Sequence, residues 1–100
     1  MKILFASDIH GSAYYCRRLL DIYKETKASR MVILGDILYH GPRNDLPKEY
    51  APKEVIAMLN PLKDQIYAVR GNCDTEVDQM VLQFPILADY ALLVLDGKTF

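Results

Sequence analysis

Short apolar runs recur along the chain at residues 3–5 (Ile3-Leu4-Phe5), 31–34 (Met31-Val32-Ile33-Leu34) and 66–69 (Ile66-Tyr67-Ala68-Val69), and each ends abruptly at a polar string. A short apolar run bounded by turn residues reads as a buried strand. Between the runs the period changes. Cys16, Leu19, Leu20 and Tyr23 recur at helical spacing while Arg17, Arg18, Asp21 and Lys24 take the other faces, so a helix is expected from a Ser12 cap to about Thr26. The second strand is expected over 30–35. A second helix is expected over 52–60, with Val55, Ile56 and Leu59 inward, Pro52 in its first turn and Pro61 at or just past its end. The third strand, 65–70, leads to Asp74 or Thr75, either of which can cap a short helix through Leu82. The order βαβαβα predicts a parallel sheet with covering helices. The last segment departs from that order. Residues 91–95 read as a strand, Asp96-Gly97 as a hairpin turn, and 98–100 as the start of the return strand. Residues 41–53 hold three prolines and a glycine and read as a long loop.

Composition narrows the class. One hundred residues at 51% hydrophobic and 25% charged suit one small globular domain. A formal net charge of −1 offers no broad footprint for nucleic acid or a membrane surface. No apolar run approaches the roughly 20 residues that cross a bilayer. The opening residues, with a very short apolar run before Asp8, do not form a signal peptide, so a cytoplasmic protein is expected. Two cysteines do not make a disulfide framework. Cys16 falls on the apolar helix face and reads as core.

The chemistry lies in the strings that end the three runs: ASDIHG at 6–11, LGDILYH at 34–40 and RGNCD at 70–74. The carboxyl ends of adjacent parallel strands face one crevice. Asp8, His10, Asp36 and Asn72 are therefore expected to converge. Their oxygen and nitrogen donors suit manganese, iron, cobalt, nickel or zinc. Asp8 and His10, two apart, can share one ion; Asp36 can bridge two with its two oxygens; Asn72 can offer an amide oxygen to the second. Two ions about 3.5–4 Å apart clamp a phosphate and activate water. Taken singly, each string has an ordinary explanation as a turn or a helix cap. Three in register after three successive strands do not.

In this order D-x-H, G-D and G-N-x-D resemble the calcineurin-like metallophosphoesterases. The longer strings FASDIHGS, VILGDILYHGPRN and AVRGNCDTEVDQM are similar to a phosphodiesterase branch of that family, over essentially the whole chain. The resemblance implies an α/β fold, a four-layer αββα sandwich, of which this chain supplies the N-terminal βαβαβα half and the start of a hairpin. It implies two divalent metal ions, manganese foremost, with zinc, iron, nickel, cobalt and magnesium as alternatives. It also implies hydrolysis of a small phosphodiester or phosphate ester, with metal-bound hydroxide as nucleophile. Asp8 and His10 would bind one metal, Asp36 would bridge, and Asn72 would bind the other. Cys73 stands where many relatives carry a histidine that contacts the phosphate or protonates the leaving group. A thiol with a pKa of about 8.5 is a poor acid for that task. A preference for activated leaving groups, and for diesters over monoesters, then competes with a space-filling role. Asp74 would orient its neighbours or cap the third helix. Arg43, opening the long loop with His40 and Asn44, has the fork to hold a phosphate oxygen, or is a solvated charge. Asp36, Cys73, Asp74 and Arg43 are thus the candidate catalytic group.

The family completes its site with later histidines in G-H and G-H-x-H strings, whereas this sequence has only His10 and His40. Residues 1–100 are therefore expected to be the N-terminal part of a single domain, inactive alone. The apolar faces of the strands at 31–34 and 66–69 are expected to stay partly exposed. The competing reading is a non-catalytic scaffold of the same fold. Homo-oligomerisation is left open.

Overall fold

The computed structural model describes residues 2–39, 46–71 and 73–88, together with the residue pairs 94–95 and 98–99. Strands β1 (Ile3–Ala6), β2 (Arg30–Ile33) and β3 (Ile66–Ala68) form a parallel sheet in that order, with β2 in the centre. Parallel neighbours need crossover connections. These are helix α1 (Ala13–Thr26) and helix α2 (Pro52–Leu59), which pack against each other. Helix α3 (Glu76–Val81) follows β3, and β4 (Val94–Leu95) pairs antiparallel with β5 (Lys98–Thr99), the hairpin expected there. The turn expected at Asp96 and Gly97, and residues 91–93 and 100 of the expected strands, lie outside the described residues.

Local chemistry sets the helix ends. Ser12 caps α1 by accepting the Tyr15 N–H at 3.2 Å, and Lys27 closes it in a left-handed conformation whose N–H reaches the Lys24 carbonyl. The chain does not leave the helix at Pro61. It tightens into a 3₁₀ helix, Asn60–Gln65, because Pro61 has no N–H to donate into an α-helical ladder.

The two sheet faces differ. Leu4, Met31 and Ile66 lie in register on one face, as do Ala6, Ile33 and Ala68. Met31, Ile33, Ile66 and Ala68 join Cys16, Tyr23, Val55 and Leu59 in one core. On the other face the row is Phe5, Val32 and Tyr67. Val32 is buried between its neighbours, but Phe5 is 57% and Tyr67 45% exposed. The expected exposure along 31–34 is therefore confined to Leu34, since the central strand has a partner on each side. Phe84 and Ile86 are core residues that the strand-and-helix reading does not include, and Leu82, the expected last residue of the third helix, is buried with them as its C-cap. Their segment alternates with exposed Gln83 and Pro85 and is tied down by Gln79, whose Oε1 accepts from the Ile86 N–H at 2.7 Å and whose Nε2 donates to the Phe84 carbonyl at 3.0 Å.

Candidate metal centre

The loops that leave β1 and β2 adopt a costly backbone. Asp8 (φ 60°), His10 (φ 50°) and Asp36 (φ 56°) all lie in the left-handed region. That region disfavours side-chain-bearing residues by roughly 1–2 kcal/mol each, least for Asp, Asn and His. Such conformations persist where surrounding contacts enforce them. Here the enforcement is a ladder between the two loops: the Asp8 N–H donates to Gly35 O at 3.3 Å, His10 N–H to Asp36 O at 2.8 Å, and Gly11 N–H to Ile37 O at 2.8 Å.

This backbone brings one donor atom each from Asp8, His10 and Asp36 within 4.8 Å of one another. The imidazole is oriented by the Tyr39 carbonyl, 2.8 Å from Nδ1. A carbonyl only accepts, so Nδ1 carries the hydrogen and the lone pair of the neutral ring sits on Nε2. Nε2 lies 3.0 Å from Asp8 Oδ1. The Ser7 hydroxyl donates to Asp8 Oδ2 at 2.7 Å, and the Cys73 N–H donates to Asp36 Oδ1 at 2.7 Å.

The electrostatics agree with a cation site. The Ser7 hydroxyl holds the Asp8 carboxyl below its ordinary value against the effect of burial, helped by hydrogen bonds to His10 and Asp36. Burial works against protonation of His10, but the Tyr39 carbonyl, the Asp8 carboxylate and the charges of Asp36 and Asp8 raise it overall. Burial and then the negative field of Asp36 and Asp74 push the Cys73 thiol up.

Asp74 is 2% exposed and turns to the backbone. Its Oδ2 accepts the N–H of Asp36 at 2.8 Å and of Gly71 at 2.7 Å, and its Oδ1 accepts that of Ile37 at 3.1 Å. The cap of α3 is instead Thr75, in a reciprocal capping box with Asp78. Two glycines permit this closeness. A Cβ on Gly35 (φ 98°) would sit 2.2 Å from the Gly71 nitrogen, and one on Gly71 would sit 2.6 Å from Asp36 Oδ1.

Asp8, His10 and Asp36 therefore meet, with Cys73 beside them, while Asn72, His40, Arg43 and Asn44 lie outside the described residues. Of the tyrosines, Tyr15 lines a hollow of about 380 Å³ beside Asp8, and Tyr50 packs against Gly11. Sequence reasoning missed Ser7 and the Tyr39 carbonyl. Ser7 could have been suspected as the neighbour of Asp8, but a backbone carbonyl has no residue-type signal.

A family profile described as calcineurin-like phosphoesterase matches residues 1–98. Among curated proteins, the chain is 52% identical over 98 residues to phosphodiesterase YfcE of Escherichia coli strain K12, covering 98% of this chain and 53% of the relative. The same figures hold for YfcE of strain O157:H7. A solved structure described as YfcE, a phosphoesterase from E. coli, superposes with a TM-score of 0.95 at 50% identity, covering 99% of this chain and 54% of that one. The chain thus spans about half the length of the curated relatives it matches.

Proposed function

The chain belongs to the calcineurin-like phosphoesterase family, and from that premise we propose that the whole protein is a metal-dependent phosphodiesterase acting on a small phosphate ester. The observation that carries this reading is the meeting of Asp8, His10 and Asp36 donor atoms within 4.8 Å, with the Tyr39 carbonyl directing the Nε2 lone pair into the group. Two carboxylates and an imidazole are a donor set that fits divalent manganese, iron, cobalt, nickel or zinc. Residues 1–100 are read as the N-terminal part of one four-layer metallophosphoesterase domain. The chain's span of about half its relatives supports this.

Asp8 and His10 would hold one ion, Asp36 would bridge, and Asn72 would hold the second. When bound, the pair supplies Lewis-acid stabilisation of phosphoryl oxygens and an activated water at neutral pH. The chain's own groups divide the remaining work. The Cys73 N–H fixes which Asp36 oxygen is free to turn toward a ligand. The Cys73 thiol is a poorer general acid at neutral pH than the imidazole many relatives carry in its place, which favours esters with good leaving groups. Arg43 is assigned to a phosphate oxygen. No helix among the described residues is long and apolar enough to cross a membrane, and both cysteines are free. A reducing cytoplasm is the compartment that this thiol pair supports.

The test is to strip the complete protein of metal, restore Mn2+, and compare hydrolysis of bis(p-nitrophenyl) phosphate with that of p-nitrophenyl phosphate. Metal-dependent turnover favouring the diester is expected. No turnover with manganese, zinc, iron, nickel, cobalt or magnesium would overturn the reading in favour of a non-catalytic scaffold.

A further inference from the structure

The Asp36–Ile37 dipeptide is held from both sides. Its two N–H groups donate to the Asp74 carboxylate, at 2.8 and 3.1 Å, and its two carbonyls accept the N–H groups of His10 and Gly11, both at 2.8 Å. The Asp74 carboxylate also takes the Gly71 N–H, so one buried side chain is bonded to the loops after β2 and β3 and reaches the loop after β1 through a single intervening dipeptide. We propose that Asp74 is the positioning residue of the whole centre, setting the geometry of His10 as well as that of Asp36. This inference rests on the metal-centre reading above.

The physical argument has three parts. Asp36 and His10 lie in the left-handed region, which their own local energetics disfavour, so something outside each loop must hold them. A carboxylate accepting backbone N–H groups makes charge-assisted bonds, stronger than neutral ones and further polarised when the peptide groups are linked in series. The series here runs from Asp74 through the Asp36 and Ile37 peptides to His10 and Gly11. Finally, among the described residues every bonded partner of the Asp74 carboxylate oxygens is a backbone N–H, and none is a ligand atom. Asp74 is therefore not a catalytic residue; it acts through the atoms it holds.

The experiment uses the complete protein with Co2+ alone as the probe. Asp74→Asn keeps the side chain's shape, but one carboxylate oxygen becomes an NH2 group. With that group facing the Ile37 N–H, a hydrogen bond becomes a repulsion. Co2+ affinity is expected to fall about 10- to 100-fold, the range for groups that orient metal ligands, with a changed visible spectrum of the bound ion and an unchanged far-UV circular dichroism. A folded variant with wild-type affinity and spectrum would overturn the proposal. If Asp74→Asn does not fold, amide exchange of the metal-free wild type decides. The amides of His10, Gly11, Asp36, Ile37 and Gly71 should be protected together, and exchange as fast as in exposed loops would overturn it. Wild-type protein that binds no Co2+ at all would instead sink the metal-centre reading, a failure distinct from that of Asp74.

Discussion

The backbone N–H of Cys73 donates to Asp36 Oδ1 at 2.7 Å, although the two residues are 37 positions apart. The orientation of a carboxylate in the loop after the second strand is thus fixed by the loop after the third. It is fixed by a backbone group, so the role of Cys73 in holding Asp36 does not depend on its thiol.

That separation makes the thiol testable by substitution. Cys73→Ala should leave the metal content of the complete protein unchanged, because the N–H bond to Asp36 survives. Cys73→His should raise phenyl phosphate hydrolysis about tenfold or more by supplying a general acid for its basic leaving group, with little change on p-nitrophenyl phosphate, whose leaving group needs none. Steady-state kinetics on both substrates checks this, and equal effects on the two would count against it.

Asp36→Asn should fold, since the amide oxygen can still accept the Cys73 N–H. It removes the charge that the second carboxylate oxygen offers to bridging ions. Metal analysis after dialysis should show less bound manganese per chain than wild type, and diester turnover should fall by about 100-fold or more.

Gly35→Ala should be among the most destabilising single substitutions. Its Cβ would meet the Gly71 nitrogen at 2.2 Å, and its φ of 98° is one that alanine rarely adopts. Neither obstacle is a flexible side chain, so the strand ends must part. A loss of about 3 kcal/mol or more in urea unfolding is expected, from steric overlap and backbone strain together.

The buried Cys16 thiol predicts an alkaline limit to stability. Burial pushes its pKa from 9.0 to about 11, and the nearby Arg17 charge only partly offsets this. The folded value is the higher one, so the contribution to stability is full below about pH 9 and is lost as pH rises toward about 11. The loss amounts to roughly 2 kcal/mol. Unfolding measured between pH 8 and 11 should show this slope, and Cys16→Ala should flatten it. A thiol reagent at pH 8 should modify Cys73 in the native protein and reach Cys16, which is 0% exposed, only on unfolding.

Much of this was legible in the chain. The order of elements through α3 follows from short-range periodicity, and Ser12, Thr26 and Pro52 mark helix ends where the sequence suggests them. The meeting of Asp8, His10 and Asp36 follows from their places after adjacent parallel strands, whose carboxyl ends must face one crevice. The helical turn beyond Pro61 and the core residues Phe84 and Ile86 were less legible. A proline reads as a stop, and the alternating segment is bonded by the Gln79 side chain and, among the described residues, pairs in no strand ladder.

By itself the sequence determined which residue types stand at each strand end, and hence the chemistry available: carboxylates, an imidazole, a thiol and glycines gathered in three short strings. Only the tertiary structure decided how they are held. The Tyr39 carbonyl directs the imidazole, the Cys73 N–H directs Asp36, and Asp74 turns from the ligands to the backbone. The reason is physical. Side-chain identity and spacing are written in the sequence, whereas these bonds join peptide groups 29 to 38 positions from their partners, and every residue but proline carries the same peptide donor and acceptor.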